Sequence, residues 1–381
     1  MATEPAAADA AVDVGRLRPA SGTSDIPTRD RLPSLTALRF WAAALVVVYH
    51  LSRQLAKIPV ISDVGWYGRT GVTFFFVLSG FVLAWTYHDA PVRPAVFWWR
   101  RFARIWPMLL VATLLSTAVY LAMGVDVPPR AVAAALAMVH AWSFDPVVVR
   151  GGNGATWSLS DEAFFYLLFP LVLPLVRRLR VRGQLLVAAL AVVVLLVGWV
   201  VLTREVPLAH RALVIDYWPV SRLPQFVAGV ALGCAVRGGW RPRVRLDVAV
   251  AAVLAFHVAL FAWGHVTTST QWTPYSASQV MATPFFAAVV VAAACRDLAG
   301  RTGWLGHPWA LRLGHWSFAW YLVHEIFLRV WVYVLGHPAG LAHAAGTWAV
   351  IAATSLVAAG LLYRLVEHPA ERRLRAFVDS R

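Results

Sequence analysis

Lysine and cysteine are almost missing from this chain of 381 residues: Lys57 is the single lysine, and the two cysteines are Cys234 and Cys295. Two thiols, each inside an apolar run, exclude a disulfide framework and a cysteine-type metal site. Charge is scarce as well. Asp, Glu, Lys and Arg make up 14% of the residues while 60% are hydrophobic, and the mean hydropathy is +0.64; a soluble chain would carry about a quarter charged residues. The composition is that of an integral membrane protein. Acidic residues are outnumbered 19 to 34 by basic ones, yet that surplus is spread over short loops between apolar runs, where it reads as a topology signal and not as a nucleic-acid surface. No internal repeat is visible, which argues against an inverted-repeat transporter. Apart from His50, His324 and His368 the histidines are scattered without ligand spacing, so no metal is expected. Residues 1–33 lack any hydrophobic period and any cleavage site, and they read as a disordered cytoplasmic tail.

What the chain does have is a series of apolar runs near the roughly 20 residues a bilayer requires. They fall at 34–53, 71–88, 102–123, 160–177, 184–203, 220–236, 247–264, 278–296, 314–335 and 345–366. The stretch 130–142, thirteen residues long, reads as interfacial or re-entrant. Arginine distribution supports that reading: 24 Lys and Arg residues fall in one set of alternate loops and tails and eight in the other, with Arg39 and Arg329 inside spans. A crossing at 130–142 would scatter this asymmetry. The expected fold is therefore an all-α membrane protein of about ten transmembrane helices around an internal polar cavity, with both termini cytoplasmic, a transmembrane domain over 34–368 and a basic cytoplasmic tail over 369–381.

Within the first span, RFWAAALVVVYH begins with Arg39 and ends with His50. Eleven helical steps separate them by about 16 Å along the axis and bring them back to within about 20° of one another. An arginine and a histidine sharing one face would be costly against lipid and should line a cavity; snorkelling to opposite headgroup layers is the alternative. Arg100, Arg101 and Arg104 cluster within four residues, where guanidinium forks suit phosphate, although they would also serve as a positive-inside anchor. Asp161 and Glu162 open the fourth span, a placement that helix-dipole energetics alone would explain for Asp161. Gly80 reads as a packing residue and Ser79 stays open. Glu325 and Arg329 form an i, i+4 pair that neutralises two intramembrane charges, and His324 is off that face by about 100° and able to line the cavity.

These segments together resemble the acyltransferase-3 family of bacterial membrane O-acyltransferases, which modify O-antigens, Nod factors, peptidoglycan and macrolides. Arg39 with His50 resembles the family hallmark. GVTFFFVLSGF (71–81), RRFARIWP (100–107), WSLSDEAFFYLLFP (157–170), RLPQFVAGVALG (222–233), LGHWSFAWYLVH (313–324) and YRLVEHPAERRLR (363–375) resemble later elements in the expected order. Gln225 stands where many relatives carry a carboxylate, and Ala163 and Phe164 replace a usual Glu and Gln.

The resemblance implies a multi-pass enzyme of the inner (plasma) membrane. It would transfer an acyl group, acetyl above all, from acyl-CoA to a hydroxyl of a glycan or glycosylated small molecule, with no permanently bound cofactor. His50 is the expected general base, since an imidazole titrates near neutral pH. Arg39 would hold the donor, and Glu162, in the family's motif, would orient the imidazole. Substrate binding is expected at Arg100, Arg101, Arg104, Ser79 and His324. The Ala- and Arg-rich composition suggests a high-GC genome and a macrolide-like acceptor. The alternative from another class is a transporter or flippase of a lipid-linked sugar, which would move its cargo unchanged.

Overall fold

A computed structural model of the chain describes residues 31–55 and 57–379. The expected disordered tail falls, up to residue 30, outside the described residues. Among the described residues there is no strand, and ten helices are long and apolar enough to cross a bilayer. Their regular cores are α1 (Pro33–Gln54), α2 (Gly71–Tyr87), α3 (Pro94–Ala122), α4 (Trp157–Arg177), α5 (Val181–Glu205), α6 (Pro219–Arg237), α7 (Leu246–Val266), α8 (Thr283–Leu298), α9 (Pro308–Leu335) and α10 (Leu341–Leu362). This is a multi-pass, all-helical membrane protein. Between α3 and α4, the segment 130–142 forms an eight-residue helix, Pro129–Leu136, and a short turn, His140–Trp142, neither long enough to span.

Three boundaries move the chemistry. Helix α3 starts at Pro94, eight residues ahead of the expected 102, because Pro94 suits the first helical turn and Phe97, Trp98 and Trp99 prolong the apolar run. Arg100, Arg101 and Arg104 therefore sit within a helix and not at its mouth. Helix α4 starts at Trp157, so Asp161 and Glu162 lie in its second turn. The dipole account offered for Asp161 fails on that point, since the effect fades beyond the first turn. Beyond α10 the chain widens into a π turn at Tyr363–Glu367 and continues as α11 (His368–Asp379). Residues 369–379, expected as a tail, are helical.

Small residues set the closest helix contacts. A β-carbon on Gly80 would lie 2.1 Å from the Phe226 carbonyl oxygen of α6, and one on Gly229 would lie 2.1 Å from the Val77 carbonyl oxygen of α2. These helices thus touch backbone to backbone, as small residues at membrane helix interfaces allow. Gly314 of α9 has the same relation to Thr36 of α1, at 2.1 Å. Around α6 the core is aromatic: Phe226 stacks on Phe165 with centroids 5.2 Å apart, and Phe165 meets Phe76 edge-on at 5.1 Å. Helices α6 and α8 are the most enclosed, whereas α5 presents Leu186, Leu190, Val193 and Val197 outward. An outward face of that kind suits lipid.

Candidate active site

Because α1 is unbroken from Pro33 to Gln54, Arg39 and His50 keep the spacing read from the sequence. Each of them sits in its own polar cluster.

At the His50 end, the imidazole Nδ1 lies 3.6 Å from Glu325 Oε2 on α9, and the His50 ring meets that of His324 edge-on at 5.0 Å. Glu325 is held from several sides. Its Oε1 accepts from Arg329 at 2.5 Å and from Gln54 at 3.3 Å. Behind it runs the loop 151–156, in which Gly151 and Gly152 take φ of 45° and 77°, a region glycine enters without strain. Asn153 pins that loop to α9 by donating to the Leu322 carbonyl at 2.9 Å. A pocket of about 300 Å³ opens here, and His50, Glu325, Tyr49, Tyr217 and Tyr321 are among its lining residues. Of the sequence-predicted site residues, only His50 lines it. His324 is buried behind His50, with its Nδ1 3.1 Å from the Trp320 carbonyl oxygen.

At the other end, the Arg39 guanidinium lies over the Phe75 ring, 5.9 Å from its centroid. Its charged neighbours are Arg104, Glu162 and Glu367. Glu162 in turn interacts with Arg39, Arg101 and Arg104, and with Tyr166 one turn along α4. Ser79 joins this group by donating to Tyr166 Oη at 3.2 Å. The expectation that Glu162 orients His50 is therefore corrected: the carboxylate beside His50 is Glu325, and Glu162 faces the arginines. Arg104 Nη1 donates to both Glu367 and Glu371, and its guanidinium lies 5.5 Å from the Phe318 centroid. The Arg101 guanidinium rests over Phe97 at 5.8 Å, and its Nε has no hydrogen-bond partner. Arg100 flanks them, half-buried on the same helix. Tyr321 stands between the two clusters: it bonds Ser158 at 2.8 Å and feels the charges of Glu162 and Glu325 alike.

A further buried network, which sequence reasoning did not anticipate, adjoins the His50 pocket. Arg69 Nη2 pairs with Asp216 Oδ2 at 2.8 Å while its guanidinium stacks 4.1 Å from the Tyr275 centroid. Arg222, fully buried, donates to Gln279 Oε1 at 2.6 Å. Gln225 donates to the Gln279 carbonyl at 3.0 Å and to Thr283 Oγ1 at 3.1 Å. An amide meets these two acceptors; a carboxylate would meet them with repulsion. Arg69 and Asp216 lie in separate loops of the sequence, so no spacing pattern announces them. Among the described residues no group of His, Cys, Asp and Glu has metal-binding geometry.

A carboxylate beside Nδ1 favours the imidazole tautomer with its proton there, which leaves Nε2 free to accept a proton from a hydroxyl in the pocket. A family profile described as an acyltransferase domain matches residues 32–364. The acyltransferase MdmB of Streptomyces mycarofaciens is 34% identical over 372 residues, which cover 90% of this chain and 92% of that protein. The O-acetyltransferase OatA of Staphylococcus aureus is 30% identical over 157 residues, 37% of this chain and 24% of that protein. The peptidoglycan O-acetyltransferase OatA of Listeria monocytogenes is 28% identical over 160 residues, 38% of this chain and 24% of that protein. No solved structure matches the chain.

Proposed function

This chain belongs to the acyltransferase-3 family and is a membrane O-acyltransferase, and from that premise we propose that it transfers an acyl group, acetyl above all, from acyl-CoA to a hydroxyl of a carbohydrate or glycosylated metabolite. His50 acts as general base. It takes the hydroxyl proton at Nε2 while the oxygen attacks the thioester carbonyl; the new ester C–O bond forms, the C–S bond breaks, and the proton passes to the departing CoA sulfur. Glu325 holds the imidazole in the required tautomer and stabilises the imidazolium that forms, as carboxylates do in hydrolase triads. The single observation behind this reading is the 3.6 Å approach of His50 to Glu325 on the wall of a pocket.

The donor enters from the opposite end, which we assign to the cytoplasm of the inner membrane on the strength of the arginine bias. Arg39, Arg100, Arg101 and Arg104 hold its phosphates and pantetheine arm, with Glu162 and Tyr166 setting the Arg39 guanidinium. The arm must extend past Phe75 and Tyr321 to bring the thioester to His50. Direct transfer is preferred to a covalent relay, since α1 offers no cysteine and its serines, Ser34 and Ser52, bond Asp297 and the Val48 carbonyl.

Membranes containing wild type or His50→Ala, supplied with labelled acetyl-CoA, provide the test. Mass spectrometry should find a labelled hydroxyl compound with the wild type alone, while CoA binding persists in the variant. Full turnover by His50→Ala would remove the general-base assignment.

A further inference from the structure

Four arginines, Arg53, Arg69, Arg150 and Arg329, line the pocket beside His50, and Glu325 is the one carboxylate among its lining residues. Arg329 is matched by Glu325 at 2.5 Å and Arg69 by Asp216 at 2.8 Å. Arg53 donates only to the Tyr49 hydroxyl, at 3.1 Å. Among the described residues no carboxylate pairs with Arg53 or Arg150, so two positive charges at the pocket stay uncompensated. Both side chains are exposed. Nor is Arg69 spent: its Nη1 has no hydrogen-bond partner although the side chain is only 6% exposed. A buried charged donor without an acceptor is costly, and a ligand oxygen would satisfy it.

The placement runs against the topology bias of the chain. By the count along the sequence eight of the basic residues fall on the His50 side, and three of those eight, Arg53 in the last turn of α1, Arg69 and Arg150, converge on this one cavity. Headgroup anchoring would spread them round the perimeter.

We propose that the pocket receives its hydroxyl substrate through an anionic group, a phosphate or carboxylate, held by Arg53, Arg69 and Arg150 while His50 faces the reacting hydroxyl. Guanidinium forks are suited to such oxyanions, and a cavity of about 300 Å³ accommodates a phosphorylated sugar unit. This rests on the acyl-acceptor reading above, and it narrows the acceptor class: a cationic amino sugar is repelled here and a neutral glycoside leaves the Arg69 donor unmet.

The test measures binding and not turnover. Full-length protein in nanodiscs of zwitterionic lipid is titrated calorimetrically with methyl glucoside 6-phosphate and with methyl glucoside. The phosphorylated compound should bind at least tenfold more tightly. The double variant Arg53→Gln, Arg150→Gln should lose that preference, whereas Arg53→Lys, Arg150→Lys should keep most of it; both side chains are exposed, and an unchanged melting temperature checks that the variants stay folded. Equal binding of the two glycosides, no binding of either, or full preference in the Gln double variant would overturn the proposal. Repeating the titration in nanodiscs containing phosphatidylglycerol separates the two sources of phosphate. Retained binding supports an acceptor site, and abolished binding assigns the arginines to a lipid headgroup and overturns it. Failure here with an inactive His50→Ala leaves acyl transfer standing, while a phosphate preference beside a fully active His50→Ala would strike the general base alone.

Discussion

Gly154 backs directly onto Glu325: a β-carbon at position 154 would lie 2.8 Å from Glu325 Oε2. The same oxygen lies 3.6 Å from His50 Nδ1, so the loop before α4 and the imidazole on α1 confine one carboxylate between them. Positioning of that kind is what a general base needs, since small misplacements at a reacting group have large effects on rate.

Glu325→Gln is expected to keep the fold and the pocket while lowering kcat by about 100-fold, within the span attributed to general acid–base catalysis. An amide keeps the shape of the side chain but cannot stabilise the imidazolium. Its pH–rate profile should shift relative to wild type while KM for the donor holds, and an unchanged rate and profile would remove Glu325 from the mechanism.

Glu371→Gln should tighten donor binding. In the present arrangement Arg104 Nη1 is shared by Glu367 and Glu371, and Glu371 also pairs with Arg375. Removing one negative charge frees the guanidinium for phosphate, and a several-fold fall in KM for acetyl-CoA is the expected result; a rise would show that α11 supports the donor site.

Gly80→Ala forces a methyl group to within 2.1 Å of the Phe226 carbonyl oxygen. Backbone cannot yield as a side-chain tip can, so a loss of about 1–3 kcal/mol is expected, as for other overpacked contacts. Thermal unfolding in detergent measures it. Gly198→Ala, with nothing within 4 Å, is the control and should be neutral or slightly stabilising.

His140 supplies a pH dependence. It lies between α3 and α4, buried, with Thr156 Oγ1 3.3 Å from Nε2, and burial pushes its pKa down from 6.5 to about 4. The folded protein holds it neutral and the unfolded chain protonates it more readily. Its contribution is complete above pH 6.5 and is lost as pH falls from there towards 4, by about 3 kcal/mol. His140→Gln should flatten thermal stability across that window, and an unaltered slope would contradict the assignment.

Ten spans, the shared face of Arg39 and His50, and the packing role of Gly80 were all legible from sequence, because helical periodicity and hydrophobic length are local properties. The start of α3 was misjudged because arginines depress hydropathy even where aromatic residues carry the helix through them. Glu325 was visible as a charge beside Arg329, yet its partner His50 lies 275 positions away in sequence, and no spacing rule links them. Glu162 was assigned to the wrong neighbour for the same reason. Arg69 and Asp216, drawn from two loops, become a pair only once α2 and α6 are in contact.

That contact has a mechanical corollary. Where Gly80 and Gly229 let main chain rest on main chain, and Arg222 and Gln225 of α6 reach Thr73 of α2, the two helices have little room to slide past one another. A substitution that wedges these two helices apart would therefore disturb Arg222 and Gln225, and with them the polar network beside the His50 pocket.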